Sequence, residues 1–576
     1  MFASGRSSRW LVQECSLQGR LVAAGALGLV VCVLFFRPSY LLISENTDYP
    51  VSSDRTTNLS ALNYYVQDGW RLPLFAVQNL CSPQGTNIVF ADCVPLIAPL
   101  CRLLFLIYPH LFDYLKAWVV LCFVLQGVSF ALLLQVVGHR GMLHAVFGAL
   151  LVVSLPAFLC RYGHAAVTSH FLLILALALF LQTYTKGLPR SVIVWHMLLL
   201  SVALLISVIL FAMVACLFVA SLLQALAHRQ VTLRRAAAVG CVVGLPVVAL
   251  MYVGGYLPLR TIPPGHGWGV YSMNLLSPVV PQFCVPGLGF SGFVGPWEQY
   301  EGFNFLGYGL LFLCLVHSVV SPADLVRCFK RYWILALFSV FLIVFSASSR
   351  IYVGRTLLLE VPVPSFLEGL LSIFRCSGRF FWPVAYLIMA FLVSRTYRRF
   401  KPAVWLPMLS LCLLAQFVPN RMVHLEKNSN FPRIEEAERY DVWIHLIEQH
   451  HSIEIYPSYY NTARQDRFLI QQLVMIASRR NRPVNTTYST RDFAGRSWQE
   501  ERASIARGGF REGVLYVFSK QYFSSVELEE LTGGARLFGE FDGVYVGSRD
   551  WPSLREQPQL QGSSGIRSTE SAGEER

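Results

Sequence analysis

The sequence predicts a polytopic α-helical membrane protein that ends in a small external α/β domain. The 576 residues are 54% hydrophobic and only 14% charged, whereas an ordinary soluble domain is nearer one quarter charged. The apolar residues are gathered into runs close to the length of a bilayer-spanning helix. From Asn420 onward the chain instead becomes charged and alternates apolar with polar residues, which is typical of a separate soluble domain.

The apolar runs predict eleven spans within a transmembrane domain of residues 21–419. The runs occupy roughly residues 21–36, 93–107, 117–137, 142–160, 167–183, 191–227, 236–256, 303–319, 333–347, 380–394 and 402–418. The run 191–227 is about twice the length of one span, so it predicts two helices joined by a tight turn. The run 93–107 is short and contains Pro95, Pro99 and Arg102, which favours an interfacial or re-entrant segment.

Basic clusters between the runs predict the orientation of the chain. These clusters are "GHRGMLH", "TKGLPR", "HRQVTLRR", "RCFKRYW" and "SRTYRRFK", and the positive-inside rule places all five in the cytoplasm with residues 1–20. The loops 37–115, 256–302 and 347–379 and the C-terminal region are then external. A formal charge of +13 fits loops that meet anionic membrane lipids. Nucleic-acid binding is excluded, because no soluble segment interleaves basic and aromatic residues.

Residues 420–550 predict the α/β domain, and residues 551–576 predict a disordered tail rich in Ser, Gly, Gln and Glu. Strand periodicity is present in "IEIYPSYY", "GVLYVFSK" and "GVYVGS". Helical periodicity is present in "RFLIQQLVMIASRR" and "SVELEELTG". About 130 residues are enough to form an independent core.

Two groups of basic residues predict an anion site at external span ends. In "FRCSGRFFWP" (374–383), Arg375 and Arg379 would share one helix face. Two like charges there favour binding of a lipid phosphate, which guanidinium groups hold through paired hydrogen bonds; snorkelling is the alternative. In "LPAFLCRYGHAAVTSHF", Arg161, His164 and His170 either face a cavity or partner or snorkel and bond to neighbouring carbonyls.

Acidic residues of the first external loop are candidate catalytic bases. Partial desolvation beside the bilayer would raise a carboxylate pKa towards the range in which it accepts a proton from an alcohol. Asp54 is the preferred base and Asp48 the second candidate. Asp92 is expected to cap the following helix. A divalent metal held by Asp48 and Asp92 is the alternative, and no cofactor is otherwise expected.

The second external loop predicts an acceptor or sugar site. Aromatic faces stack on sugar rings, and carboxylates and amides accept hydrogen bonds from hydroxyl groups. The candidate side chains are Glu298, Tyr300, Glu301, Asn304 and Asn274. An interfacial aromatic belt is the plain alternative, although long loops of this kind are often functional.

The combination of these features resembles the GT-C superfamily of polyprenyl-phosphate-sugar-dependent glycosyltransferases. Residues 40–420 are most similar to a bacterial family of GT-C-like membrane proteins whose activity is itself inferred. The matching stretches are "DGWRLPL", "GTNIVFADCVPL", "YSMNLLSP", "YEGFNFLG" and "FRCSGRFFWP". The family carries an acid at the position of Asp54. This chain departs from the family at Ala165, where a second histidine is usual, and at Cys93 and Cys376, where serine is usual.

The resemblance implies transfer of a sugar from a polyprenyl-phosphate donor to a hydroxyl of a glycan, lipid or protein acceptor. The reaction would take place at the periplasmic face of a bacterial inner membrane. Asp54 would act as the base, and Arg375 and Arg379, with His164 or His170, would stabilise the departing phosphate. Two other functions stay open: a transporter or flippase of lipid-linked sugars, and a non-catalytic membrane scaffold of a glycan-assembly system.

Overall fold

The computed structural model describes residues 15–36, 53–110, 113–161, 163–257, 268–281, 295–427, 437–463, 465–489, 497–531, 537–554 and 556. The chain forms two compact units. The membrane unit comprises Met1–Ile43, Tyr114–Met251 and Thr261–Asn430, and the loop–C-terminal unit comprises Ser44–Asp113, Tyr252–Arg260 and Phe431–Arg576.

The described residues are predominantly helical. In chain order the helices are α1 (Leu17–Phe35), α2 (Ser53–Gln67), α3 (Ala98–Ile107), α4 (Tyr114–Val136), α5 (Met142–Val153), α6 (Pro156–Leu159), α7 (Phe171–Lys186), α8 (Arg190–Ile206), α9 (Val208–Ala227), α10 (Leu233–Gly254), α11 (Tyr308–Val320), α12 (Pro322–Arg331), α13 (Trp333–Ala347), α14 (Ser365–Ser372), α15 (Trp382–Arg399), α16 (Pro402–Lys427), α17 (Ala437–Glu448), α18 (Arg467–Arg479), α19 (Trp498–Gly508), α20 (Ser525–Leu531) and α21 (Trp551–Leu554). The strands are β1 (Ala76–Val77), β2 (Thr86–Asn87), β3 (Arg350–Val353), β4 (Thr356–Glu360), β5 (Ser452–Tyr456), β6 (Val514–Ser519), β7 (Phe538–Phe541) and β8 (Val544–Gly547). Short 3₁₀ turns cover Ile88–Phe90, Trp297–Gly302 and Ser377–Phe381.

Membrane-spanning helices confirm the predicted class of protein but not the predicted number of spans. Within the described residues, five segments are long and apolar enough to cross a bilayer: α1, α4, α9, α10 and Ser377–Arg399, which ends with α15. Helices α11 and α12 together make a sixth only if they count as one bent span. The prediction of eleven full-length spans is therefore not supported. Several expected spans form shorter apolar helices, as where the 142–160 run is divided between α5 and α6 at Pro156.

Glycines allow the helices of the membrane unit to approach closely. A Cβ added at Gly28 of α1 would lie 2.3 Å from the carbonyl oxygen of Phe123 in α4, and one added at Gly127 of α4 would lie 2.4 Å from that of Ala24. Small residues at helix contacts are typical of membrane proteins, in which association depends on close packing rather than on the hydrophobic effect. The α1–α4 pair is therefore built on backbone-to-backbone contact.

The predicted division of the long apolar run is confirmed, and the short 93–107 run forms no full-length span. The long 191–227 run forms α8 and α9, separated at Ser207, whose φ of −159° and ψ of 124° are extended. The 93–107 run forms only the ten-residue helix α3, which is about 15 Å long and too short to cross a hydrocarbon core. The prediction that Asp92 caps this helix is wrong, because α3 begins at Ala98 after Ile97.

The C-terminal part of the chain carries a mixed four-stranded sheet of order β5-β6-β8-β7. Strands β5 and β6 are parallel, and the other neighbours are antiparallel. Strand β6 is buried along its whole length, which explains its continuous apolar sequence. The predicted strands β5, β6 and β8 and the predicted helices α18 and α20 are confirmed. Strand β7 was not predicted.

Part of the first predicted loop folds together with this sheet domain. Helix α2 packs on α18, where Asn63 Nδ2 donates to Ser478 Oγ at 3.1 Å and Tyr64 Oη donates to the Arg482 carbonyl at 2.6 Å. The backbone N–H of Val484 donates to the Asn79 carbonyl at 2.9 Å. Sequence patterning missed this association because the apolar and polar residues of α2 are spread around the helix without an apolar stripe. The buried side chains of Asn63 and Tyr64 find partners more than 400 residues away along the chain.

Candidate functional site

The membrane unit contains a buried cluster of two arginines around one glutamate. The Glu301 Oε2 atom accepts a hydrogen bond from Arg161 Nη1 at 2.8 Å and another from Arg379 Nη2 at 2.6 Å. Arg161 Nη2 also donates to the backbone carbonyl of Glu301 at 3.0 Å. All three side chains are more than nine-tenths buried. We refer to Arg161, Glu301 and Arg379 as the Arg–Glu–Arg cluster.

Two glycines bring Glu301 and Arg379 together. A Cβ added at Gly378 would lie 2.5 Å from the Cα of Gly302, so the two backbones are in direct contact. Asn304 Nδ2 donates to the carbonyls of Gly302 at 3.0 Å and Gly378 at 2.8 Å. Because Glu301 precedes Gly302 and Arg379 follows Gly378, this contact fixes the carboxylate beside the guanidinium. Neither glycine could be replaced without moving the backbone.

The segment that carries Arg161 is set by a helix break. Helix α5 ends at Val153, and Pro156 at the first position of α6 starts a single helical turn, which is a favourable place for proline. The chain then runs through turns, in which Thr168 Oγ1 donates to the Arg161 carbonyl at 2.7 Å. Buried hydroxyl-to-carbonyl bonds of this kind satisfy the backbone where no helix does.

Electrostatics keep the glutamate ionised. Burial by itself raises the pKa of the Glu301 carboxyl. The positive charges of Arg379 and Arg161, with a smaller contribution from His164, outweigh burial and hold that pKa well below its usual range. His164 Nε2 lies 3.8 Å from Glu301 Oε1 and is about one-fifth exposed. The one carboxylate of the cluster is therefore shared between two guanidinium groups.

His170 belongs to a hydrogen-bond chain next to this cluster. Gln126 Nε2 donates to Tyr386 Oη at 2.7 Å, and Tyr386 Oη lies 2.7 Å from His170 Nδ1. The His170 ring also packs on Trp382, with 4.1 Å between ring centroids, and the Arg161 guanidinium lies 5.7 Å from the centroid of the Trp382 ring. His170 is thus linked to the cluster through an aromatic ring.

Arg375 does not share a helix face with Arg379, so that prediction is wrong. The 3₁₀ turn begins at Ser377, and Cys376 before it has φ −84° and ψ 56°, which breaks the helical spacing that the prediction assumed. Arg375 instead lies over the Tyr271 ring, 5.9 Å from its centroid. Its charge still acts near the site. Burial raises the pKa of the Cys376 thiol, and the positive charges of Arg379 and Arg375 oppose that rise.

The predicted acceptor residues fall into two groups. Asn274 and Asn304 are buried and hold backbone segments together; Asn274 Nδ2, for example, donates to Gln299 Oε1 at 2.9 Å and to the Gly354 carbonyl at 2.8 Å. Glu298 and Tyr300 are exposed. A positioning role therefore describes the asparagines better than direct contact with a sugar.

The predicted acids of the first loop are only partly within the described structure. Asp48 lies outside the described residues. Asp54 lies in the first turn of α2, and its side chain is outside the description. Asp92 adopts a positive φ of 56° and accepts through its carbonyl from Asn58 Nδ2 at 2.6 Å. Within the described ranges, no three His, Cys, Asp or Glu side chains form a group that could hold a metal ion.

Sequence reasoning missed the partners of the predicted site residues. His170 contacts Tyr386 and Trp382, and Gln126 bonds to Tyr386. Glu301 was assigned to sugar binding rather than to the arginines. The available signal was polar side chains inside apolar helices: Gln126 interrupts α4 and Tyr386 interrupts α15. Such residues generally face a partner within a bundle.

Two family models match the chain, one over its apolar part and one over its C-terminal part. Residues 25–419 match the family described as "Domain of unknown function (DUF6311)", and residues 442–549 match the "DUF6311 C-terminal domain". The chain belongs to the DUF6311 family. The first match includes all three residues of the Arg–Glu–Arg cluster. No curated protein sequence matches this DUF6311 protein.

Among solved structures, this DUF6311 protein is similar to the oligosaccharyltransferase AglB of the archaeon Archaeoglobus fulgidus. The complex of AglB with an inhibitory peptide and a dolichol-phosphate has a TM-score of 0.45 at 13% identity, covering 92% of this chain and 74% of that chain. The apo form has a TM-score of 0.45 at 13% identity, covering 95% and 75%.

Proposed function

We propose that this DUF6311 protein is a GT-C-type glycosyltransferase that moves a sugar from a polyprenyl-phosphate donor to an acceptor hydroxyl. The supporting observation is the buried Arg–Glu–Arg cluster. It brings two guanidinium groups onto one carboxylate oxygen in a place shielded from water. A buried cation attracts an anion far more strongly than an exposed one, and guanidinium is the group best suited to phosphate oxygens.

Glu301 gives the proposed phosphate site its geometry. A single carboxylate oxygen holds Nη1 of Arg161 and Nη2 of Arg379, so the two guanidinium groups converge before any substrate binds. Donors fixed in advance stabilise a developing negative charge without reorganising during the reaction. In the proposed reaction the acceptor oxygen bonds to the anomeric carbon while the bond from that carbon to the phosphate oxygen breaks. The cluster stabilises the phosphate that leaves.

The acceptor proton requires a base outside this cluster, because Glu301 is held ionised and bound by two arginines. Asp54 remains the candidate, with Asp48 second. His164, partly exposed beside Glu301, is a further hydrogen-bond donor to the phosphate.

The proposed setting is the outer face of a bacterial inner membrane, with the C-terminal domain in the periplasm. The positive-inside rule supports this orientation. Nucleotide sugars do not reach that face, so a lipid-linked donor is the expected sugar source. The acceptor would be a glycan, a lipid or a protein.

Binding of a polyprenyl phosphate to purified protein tests the proposed site. We expect native mass spectrometry to detect the phosphate-bearing lipid and not the corresponding polyprenol, and we expect Arg379→Ala to weaken binding at least tenfold. Arg350→Ala is the matched control, since Arg350 forms an exposed pair with Glu360. Arg379→Lys keeps the positive charge, so it separates weaker binding from misfolding of the Ala variant. Equal binding of the alcohol and the phosphate would refute the site.

Sugar transfer tests the activity itself. With a panel of radiolabelled polyprenyl-phosphate sugars, Arg379→Ala is expected to slow transfer about 10²–10³-fold, the usual cost of removing one preorganised donor. Asp54→Asn tests the base in the same assay. Binding of the lipid without transfer by any panel member would instead favour a transporter, and full transfer by both variants would contradict the mechanism.

A further inference from the structure

Helix α12 is amphipathic in an unusual sense, because its apolar side faces away from the protein. Leu325, Val326 and Phe329 are 46%, 53% and 51% exposed. On the opposite side, Asp324 is buried and forms ion pairs with Arg327 of the same helix and Arg395 of α15. In a soluble protein the apolar face would be the buried one. The helix is therefore held by its polar side and presents its apolar side outward.

The orientation of α12 differs sharply from that of the helix before it. Helices α11 and α12 are bent by 98° at Ser321. If the apolar helix α11 runs along the bilayer normal, α12 lies nearly in the plane of the membrane. A ten-residue helix is about 15 Å long, so lying flat it would occupy one surface of the bilayer rather than cross it.

The exposed apolar face of α12 continues onto the neighbouring helices. Val319, near the end of α11, is 74% exposed, and Trp333, the first residue of α13, is 49% exposed. Both helices are apolar and belong to the membrane unit. The apolar face of α12 is thus part of a larger exposed apolar surface of the membrane unit, and lipid is the occupant that matches such a surface.

Basic side chains border this apolar face. Lys330 and Arg331 occupy the last turn of α12, and both are exposed. Arg331 Nε donates to Tyr184 Oη at 3.2 Å, which holds its guanidinium near the surface. The acid of the helix, Asp324, is engaged internally with arginines. The outward charge of α12 is consequently positive.

We propose that α12 is an interfacial helix that binds anionic phospholipid in the leaflet it touches. Its apolar face lies at the boundary between headgroups and acyl chains, and Lys330 and Arg331 contact the phosphate layer. A separate apolar face and basic rim are the features that hold an amphipathic helix on a charged bilayer. This role concerns lipid attachment, and it stands whether or not the protein transfers sugars.

Photocrosslinking tests which molecule covers the apolar face. With p-benzoylphenylalanine introduced at Phe329 in the full-length protein, reconstituted in nanodiscs containing phosphatidylglycerol and phosphatidylcholine, we expect lipid adducts by mass spectrometry. The same probe at Phe468, an exposed residue of the loop–C-terminal unit, is the control and should give none. A crosslink from position 329 to a second copy of the chain, or the absence of any lipid adduct there, would overturn the proposal.

Charge removal tests the headgroup contact. Each basic side chain near an anionic surface contributes about fivefold to association, so Lys330→Gln with Arg331→Gln should weaken phosphatidylglycerol retention about 25-fold in native mass spectrometry. Arg502→Gln with Arg549→Gln removes the same charge from exposed positions of the C-terminal part and should leave retention unchanged. Unfolding by tryptophan fluorescence checks that both double variants are folded. Equal retention in the two would refute the assignment.

Discussion

Replacing Glu301 by glutamine removes the charge that holds the Arg–Glu–Arg cluster together. The two guanidinium groups are bonded to the same oxygen atom, so they lie within about two hydrogen-bond lengths of each other. Two unit charges about 5 Å apart repel by about 3 kcal/mol at an effective dielectric constant of about 20. In the native protein the carboxylate compensates this repulsion, and in Glu301→Gln it no longer does.

We expect Glu301→Gln to lower the free energy of unfolding by about 3–5 kcal/mol, the usual cost of breaking a buried ion pair. The matched control is Glu360→Gln, which removes one charge from the exposed pair with Arg350 and should cost less than about 1 kcal/mol. The measurement is unfolding of purified protein in detergent, followed by tryptophan fluorescence. Inorganic phosphate should restore more stability to Glu301→Gln than to the wild type, because the variant lacks the carboxylate that occupies both guanidinium groups.

The results that contradict this reasoning are specific. If Glu301→Gln were as stable as Glu360→Gln, the buried ion pairs would not organise the membrane unit. If phosphate stabilised Glu301→Gln no more than the wild type, the Glu301 carboxylate would not be what limits the access of an added anion to the two arginines.

Two further predictions concern the same cluster. The pKa of Glu301 is lower in the folded chain than the unfolded value of about 4.3, so its ionic contribution to stability is complete above the unfolded pKa and is lost as the pH falls towards the folded pKa. The difference in the free energy of unfolding between wild type and Glu301→Gln should therefore stay constant from pH 8 to about 5.5 and narrow below about 4.5. A difference that changed near neutral pH would show that another group is responsible. Gly378→Ala places a Cβ 2.5 Å from the Cα of Gly302, so we expect it to lower the free energy of unfolding by about 1–3 kcal/mol and to weaken phosphate-lipid binding. The control is Gly240→Ala, whose Cβ would meet nothing within 4 Å and which should change neither quantity. A Gly378→Ala protein that melts and binds like the wild type would show that the contact is dispensable.

Much of the architecture follows from local patterns in the sequence. The apolar runs predicted a membrane protein, the length of the 191–227 run predicted α8 and α9, and the alternation after Asn420 predicted β5, β6 and β8. These predictions succeed because burial in lipid or in a sheet imposes a composition or a period on consecutive residues. The span count failed because helix breaks such as the one at Pro156 shorten several runs.

The candidate site was predicted only in part. Arg161, His164, His170, Glu301 and Arg379 were all selected from the sequence, yet no pattern indicated that Glu301 would bind the two arginines. A helical spacing was assumed between Arg375 and Arg379, and the backbone at Cys376 breaks it. The role of α2 was also hidden, since its apolar residues form no stripe that would indicate the surface against which it packs.

The amino-acid sequence alone predicted that the chain enters a membrane, ends in an α/β domain and carries charged side chains at the ends of its apolar runs. The tertiary structure decided which charges meet: Glu301 is 140 residues from Arg161 and 78 from Arg379 along the chain. Apolar and helical periods are properties of neighbouring residues and can be read locally. The pairing of buried charges depends instead on which backbones touch, and here the contact between Gly302 and Gly378 makes that choice.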